Sequence, residues 1–280
     1  MEILIAFLFM LAVALLAGIL LIVFSRLFAV EKNPLEKKIR DCLPGINCGA
    51  CGYKGCDDYA AALAEDGAKP SLCVPGTQKV ADQISDLLGI EKVQVEDVVA
   101  FVACNGHPGV TSRMADYEGV MTCRAASMLF GGPNSCRFGC LGLGDCAAAC
   151  PSDAICMADG IAHVDTSRCV GCGLCARTCP KKVIKMLPQE AAAAVVCSNT
   201  ESGALARKAC KNSCIGCKKC EKACPSGAIK IKDNLAVIDY NICTYCGFCI
   251  SQCPTGCLKK VFFPDLPEDC DVKELVEDYE

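Results

Sequence analysis

A nine-cysteine pattern that occurs twice, without a gap, constrains this chain more than any other feature. Cys123, Cys136, Cys140, Cys146, Cys150, Cys169, Cys172, Cys175 and Cys179 return 74 residues later as Cys197, Cys210, Cys214, Cys220, Cys224, Cys243, Cys246, Cys249 and Cys253. The flanks agree, since Pro151-Ser152-Asp153-Ala154-Ile155 returns as Pro225-Ser226-Gly227-Ala228-Ile229, and Asp165 returns as Asp239. Such a repeat is one structural unit copied, and here thiols define the unit. With 28 cysteines in 280 residues, cysteine is the main architectural fact. A disulfide scaffold is usually short and follows a cleavable signal. This chain is long, and its N-terminal apolar run lacks a cleavage site. Metal ligation fits better, and ligand thiolates must stay reduced, which implies a cytosol-facing location. There is no Trp, so bound clusters rather than an aromatic core are expected to hold much of the fold.

Three stretches carry the spacing of bacterial ferredoxins: Cys169-x2-Cys172-x2-Cys175-x3-Cys179-Pro180, Cys214-x2-Cys217-x2-Cys220-x3-Cys224-Pro225 and Cys243-x2-Cys246-x2-Cys249-x3-Cys253-Pro254. In such runs the first three thiols hold one [4Fe–4S] cluster and the fourth crosses to the neighbouring cluster. The expected sets are therefore Cys243, Cys246, Cys249 and Cys224; Cys214, Cys217, Cys220 and Cys253; and Cys169, Cys172, Cys175 and Cys150. A fourth set, Cys140, Cys146 and Cys179, is short by one thiol, because Leu143 stands where the second copy has Cys217. Cys136 is the nearest substitute, with Cys104 as its rival. Short apolar runs after each Cys-Pro (Ala154-Ile155, Ala228-Ile229, Val183-Ile184) read as the small strands of a ferredoxin unit.

Upstream, Cys48-Gly-Ala-Cys51-Gly-Tyr-Lys-Gly-Cys56 and then Cys73 give the spacing C-x2-C-x4-C-x16-C. Glycines let such a loop approach a cubane closely, and its N–H groups can point at the cluster sulfurs. Zinc is the plainer alternative, outweighed by the neighbouring cluster motifs. These sets give five clusters. Cys104, Cys123, Cys197 and Cys210 are the candidates for a sixth that bridges the two copies, against the plain alternative of buried structural thiols. Cys42, Cys156, Cys257 and Cys270 have no partner set. His107 and His163 read as exposed turn residues rather than ligands.

Ile3 to Phe24 is an unbroken apolar run. As a helix it spans roughly 33 Å, enough for a bilayer core. Arg26, Lys32, Lys37, Lys38 and Arg40 follow it, which places the rest of the chain on the cytoplasmic side. Further on, Gln78 to Leu88 has helical periodicity, and Val93 to Val102 reads as a strand leading into Cys104. Asp265 to Glu280 holds eight acidic residues and one Lys, a solvated tail by default. No dinucleotide fingerprint, P-loop or Ser/His/Asp set is found. With a net charge of −4 and no long basic block, nucleic acid is not expected as a partner.

The expected fold is small and α+β: a single transmembrane helix, a small Cys-rich 4Fe–4S module, and tandem bacterial 2[4Fe–4S] ferredoxin-like units. The boundaries read as an anchor over 1–28, the module over 33–92, a connecting segment over 93–135, unit 1 over 136–188, a second connection over 189–209, unit 2 over 210–262 and the acidic tail over 263–280.

This order, with Asn47-Cys48-Gly-Ala-Cys51-Gly-Tyr-Lys-Gly-Cys56 and Cys140-Leu-Gly-Leu-Gly-Asp-Cys146 as its most specific pieces, resembles the B-type subunit of the Rnf ion-translocating ferredoxin:NAD oxidoreductase complex, in its longer polyferredoxin form. The resemblance runs from Met1 to about Thr255. It implies a membrane-bound electron-transfer subunit of a translocase, with no complete active site of its own. Such a subunit takes electrons from soluble ferredoxin and passes them to other subunits, which reduce NAD and pump ions. A polyferredoxin subunit of another membrane reductase, such as one reducing a redox regulator, is the alternative.

Overall fold

The computed structural model describes residues 2–27 and 33–261. The acidic tail and Cys270 lie outside the described residues. Helix α1 (Glu2–Leu27) is apolar all round, and its stretch Ile3–Phe24 is long and apolar enough to cross a membrane. None of that stretch is buried against the rest of the protein, as expected of a helix whose apolar surface needs lipid rather than a protein core.

The Cys-rich module is three helices around a small core. Helix α2 (Pro34–Cys42) starts on Asn33, whose side chain accepts the Leu35 N–H at 3.0 Å, with Pro34 at the first helical position, where its missing N–H costs nothing. Helix α3 (Cys56–Glu65) and helix α4 (Thr77–Leu88) follow, and Gly89 at φ +65° closes α4 in the left-handed conformation. Ile39, Tyr59, Leu63 and Ile84 fill the space between them. The Tyr59 hydroxyl donates to the Lys69 carbonyl at 2.6 Å, which satisfies its buried polar end.

The remainder is two copies of one small α+β unit. In unit 1, strand β1 (Val98–Val102) pairs antiparallel with β4 (Ile184–Pro188), and β2 (Ile155–Ala158) forms a hairpin with β3 (Ile161–Val164). Helices α5 (Cys123–Met128), α6 (Asp145–Ala148) and α7 (Leu174–Thr178) complete it. In unit 2, β5 (Ala194–Val195) pairs with β8 (Leu258–Lys259), and β6 (Ile229–Lys232) with β7 (Leu235–Ile238). Its helices are α8 (Gly203–Ala209), α9 (Lys219–Ala223) and α10 (Phe248–Gln252). The segments 93–135 and 189–209 are more than connections, because each lends a strand to the unit that follows.

Strand β1 shows how the two units are joined. Side chains alternate faces along a strand. Ala100 and Val102 enter the core of unit 1, whereas Val99, Phe101 and Ala103 pack with Ala194, Val196 and Val261 in a separate cluster at the seam. The strand is therefore apolar throughout, as a strand buried on both faces must be.

Candidate metal centres

Among the described residues, no group of three or more His, Cys, Asp or Glu closes on a point where a single metal ion would sit. Several of the thiols instead gather around three cavities. Each ferredoxin run supplies its thiols from a loop whose glycines hold positive φ (Gly171 and Gly173, Gly216, Gly247) and from the short helix that follows.

Cys214, Cys217, Cys220 and Cys253 line one cavity in unit 2. The fourth thiol of the last run has thus crossed to the run before it. Beside it, burial raises the Cys249 thiol, and the thiolates of Cys224, Cys243 and Cys246 raise it further, so these four also share one neighbourhood. Unit 1 repeats the arrangement. Burial and then the thiolates of Cys169, Cys172 and Cys150 push Cys175 up to about 12. In the module, burial and the thiolates of Cys56, Cys48 and Cys51 push Cys73 up to about 11. Crowded, desolvated thiols of this kind resist ionisation until a cation arrives to hold the charge.

The remaining cavity of unit 1 departs from expectation. Cys140, Cys146 and Cys179 share it with Cys123, not with Cys136 or Cys104. Asp145 accounts for this. Its carboxylate accepts the N–H of Cys123 at 2.8 Å and that of Arg124 at 3.0 Å, so it caps α5 from a distance. Thr122 adds the local cap by accepting the Ala125 N–H at 3.2 Å. The two bonds hold Cys123 beside Cys146, the residue after Asp145. Leu143, which replaces the missing thiol, packs against Cys123 and Leu141. Cys136 and Cys104 instead line a different cavity together with Cys197 and Cys210. Cys123, expected to join Cys104, Cys197 and Cys210, is absent from that wall.

Backbone N–H groups point at several of the sulfurs. Ala100 donates to Cys169 at 3.4 Å, Ala154 to Cys150 at 3.3 Å and Cys257 to Cys253 at 3.2 Å. Such bonds stabilise negative charge on sulfur and tune a cluster's potential. Cys257, which has no place in the expected sets, is buried beside Cys214. A hydrogen bond with the Cys257 side chain pulls Cys214 down to about 6 and lowers Cys197 as well. Spacing could not reveal it, because Cys257 belongs to no motif. His163 also differs from expectation: it sits on β3 opposite Cys156, with a buried Nε2 that has no hydrogen-bond partner. Burial lowers its pKa.

The module and unit 1 meet at their cysteine loops. Arg177 of α7 donates to the carbonyl of Cys48. Burial raises the Cys172 thiol, and the nearby thiolate of Cys48 adds to the effect.

Comparison with known proteins agrees with this organisation. Residues 43–75 match a family model for an Fe–S cluster, residues 162–185 a 4Fe–4S binding domain, and residues 213–257 a 4Fe–4S dicluster domain. The chain is 44% identical over 233 residues to the B-type subunit of the proton-translocating ferredoxin:NAD(+) oxidoreductase complex of Clostridium ljungdahlii, covering 82% of each chain. It is 37% identical over 230 residues to the B-type subunit of the Na(+)-translocating complex of Acetobacterium woodii, covering 82% of this chain and 69% of that one. With the B-type subunit of the ion-translocating oxidoreductase complex of Methanosarcina acetivorans it shares 39% identity over 228 residues, 81% of this chain and 86% of the relative. The chain belongs to the family of B-type subunits of the ion-translocating ferredoxin:NAD(+) oxidoreductase, or Rnf, complexes.

Proposed function

We propose that this subunit relays electrons from reduced ferredoxin to the other subunits of a membrane-bound complex, through five [4Fe–4S] clusters held on the cytoplasmic side. Such a cluster accepts and donates one electron at a time. The chain's own residues supply the rest. Cys48, Cys51, Cys56 and Cys73 hold one cluster. Cys150, Cys169, Cys172 and Cys175 hold a second, and Cys123, Cys140, Cys146 and Cys179 a third. Cys214, Cys217, Cys220 and Cys253 hold a fourth, and Cys224, Cys243, Cys246 and Cys249 a fifth. The apolar strands on either side exclude water, and the N–H donors steady the charge on sulfur.

The observation that carries this proposal is the crossing of the fourth thiols, with Cys179 beside Cys140 and Cys146 and Cys253 beside Cys214 and Cys220. A storage or zinc scaffold has no use for it. Cys217 and Cys246 are exposed, which suits electron exchange with a soluble donor at the unit 2 end. The module lies next in sequence to α1, which suits delivery toward the membrane. The basic residues Lys37, Lys38 and Arg40 that follow the span support the sidedness.

Anaerobically purified protein is expected to carry at least about 20 iron atoms per chain, four per cluster, with a broad visible absorption that reduced ferredoxin bleaches. About eight iron atoms or fewer would overturn the five-cluster assignment. Full iron content with no bleaching by ferredoxin would overturn the donor.

A further inference from the structure

The geometry points to a sixth [4Fe–4S] site at the seam between the two ferredoxin units, ligated by Cys104, Cys136, Cys197 and Cys210. It rests on the electron-relay proposal above and extends it. These four thiols come from four separate segments and line one cavity.

The two units contribute them in equivalent pairs. Cys136 and Cys210 are 74 residues apart, and each stands four residues before the first thiol of its unit, Cys140 or Cys214. Cys104 and Cys197 are equivalent through the sheets instead. Val102 at the end of β1 pairs with Ile184, and Val195 at the end of β5 pairs with Leu258. Ile184 and Leu258 are themselves 74 residues apart, and Cys104 and Cys197 each lie two residues beyond the paired valine. Each thiol then accepts the same bond: Cys140 N–H donates to the Cys104 sulfur at 3.3 Å, and Cys214 N–H to the Cys197 sulfur at 3.4 Å. Two copies of one half-site thus face each other across the seam.

The site is built rather than accidental. Asn199 is fully buried, at 0% exposure. Its side-chain N–H donates to the Cys136 sulfur at 3.6 Å, within reach of a weak sulfur acceptor, and its backbone N–H to the Cys197 sulfur at 3.4 Å. Its carbonyl oxygen is occupied by the Glu201 N–H at 2.8 Å, which fixes the amide with its donors toward sulfur. Ser213, 1% exposed, also lines the cavity, and its hydroxyl has no hydrogen-bond partner. A buried hydroxyl without a partner is costly, and a negatively charged acceptor held in this cavity would satisfy it. Bonds across the seam hold the rim: Ser198 to the Ala103 carbonyl at 3.0 Å, Thr111 to the Ala209 carbonyl at 3.0 Å and Lys259 to Asn105 at 3.0 Å.

The position is also the one a relay needs. On one side the Cys104 sulfur is bonded to the backbone of Cys140, a ligand of unit 1. On the other, the Cys197 sulfur is bonded to the backbone of Cys214, a ligand of unit 2. With this site filled, the six thiol sets form one series from the module to the end of unit 2.

The test is iron and acid-labile sulfide per full-length chain, purified anaerobically, for the wild type and for the double variant Cys136→Ser with Cys210→Ser, which removes one thiol from each half-site. About 24 iron atoms in the wild type and about 20 in the variant, at four per cluster, with the other low-temperature paramagnetic signals retained, is the expected result. About 20 in both overturns the sixth site and leaves the five-cluster proposal standing. About eight or fewer in the wild type overturns both. One zinc in place of the last four iron atoms overturns this inference alone. Should the double variant lose its fold, the wild-type count still separates 24 from 20.

Discussion

Asp145 carries a role out of proportion to its position. It accepts two backbone N–H bonds at the start of α5 and thereby sets Cys123 against Cys146. Bonds to a charged acceptor contribute about 1.5–3 kcal/mol each. Asp145→Ala therefore frees α5 and leaves the set of Cys140, Cys146 and Cys179 with a poorly placed fourth thiol. The expected outcome is a loss of that cluster alone, read as about four iron atoms with one paramagnetic signal missing, while Asp145→Glu retains part of it. Unchanged iron in the Ala variant would mean that Cys123 holds its place without the carboxylate. Cys123 also marks where the sequence stops being legible. Its match to Cys197 at the common offset is a coincidence of register. The strand pairing makes Cys104 the spatial counterpart of Cys197, and unit 1 has 36 residues from Cys104 to Cys140 where unit 2 has 17 from Cys197 to Cys214. That longer stretch contains α5. The similarity of Val102-Ala-Cys104 to Val195-Val196-Cys197 is the one local signal of the true pairing.

At the scale of elements, the cluster loops are set by close backbone approach, and glycine decides whether it is possible. Gly171, between Cys169 and Cys172, holds φ +66°, and a Cβ there would lie 2.4 Å from the Val98 carbonyl oxygen and 2.9 Å from Val74. The loop is wedged between β1 and the turn that carries Cys73. Gly227 holds a similar φ of +65° but faces open space, and its counterpart in the first copy is Asp153 at φ +46°. The two glycines separate the conformational cost from the steric one. Gly227→Ala is expected to cost about 1–2 kcal/mol, the left-handed penalty alone. Gly171→Ala adds displacement of β1, about 1–3 kcal/mol more, and loosens the junction with the module. Thermal unfolding monitored at the cluster absorption should rank them in that order, and equal losses would show that β1 yields freely. The strands β2, β4 and β6, which follow three of the four Cys-Pro pairs, are legible in the sequence because short apolar runs stand at fixed motif positions, whereas β8 is too short to show one. The pairing of β1 with β4 is not, since it joins residues far apart in sequence and no periodicity encodes a partner.

For the whole molecule, the ferredoxin units place a thiol from one run beside the next, so the ligand sets proposed above bind stability to electron transfer. Cys224 lies directly after α9, in the run that begins with Cys214. Its thiolate nonetheless acts on Cys249, along with Cys243 and Cys246, because the two cysteine runs of a unit lie side by side with their ends exchanged. Losing this thiol should therefore spare the cluster of its own run. In Cys224→Ala the set of Cys214, Cys217, Cys220 and Cys253 keeps all four thiols, whereas the set of Cys243, Cys246 and Cys249 is left with three. Potentiometric titration of low-temperature paramagnetic spectra should show one signal lost or converted to a three-iron form, with the remainder unshifted. Cys253→Ala should produce the reciprocal loss. The paired variants matter more than either alone. A nonspecific weakening of unit 2 would remove the same signals in both, whereas exchanged ligands require the two variants to remove different ones. Because Cys246 and Cys217 are both exposed and belong to the sets that Cys224 and Cys253 complete, each variant should also slow reduction by ferredoxin in the assembled complex.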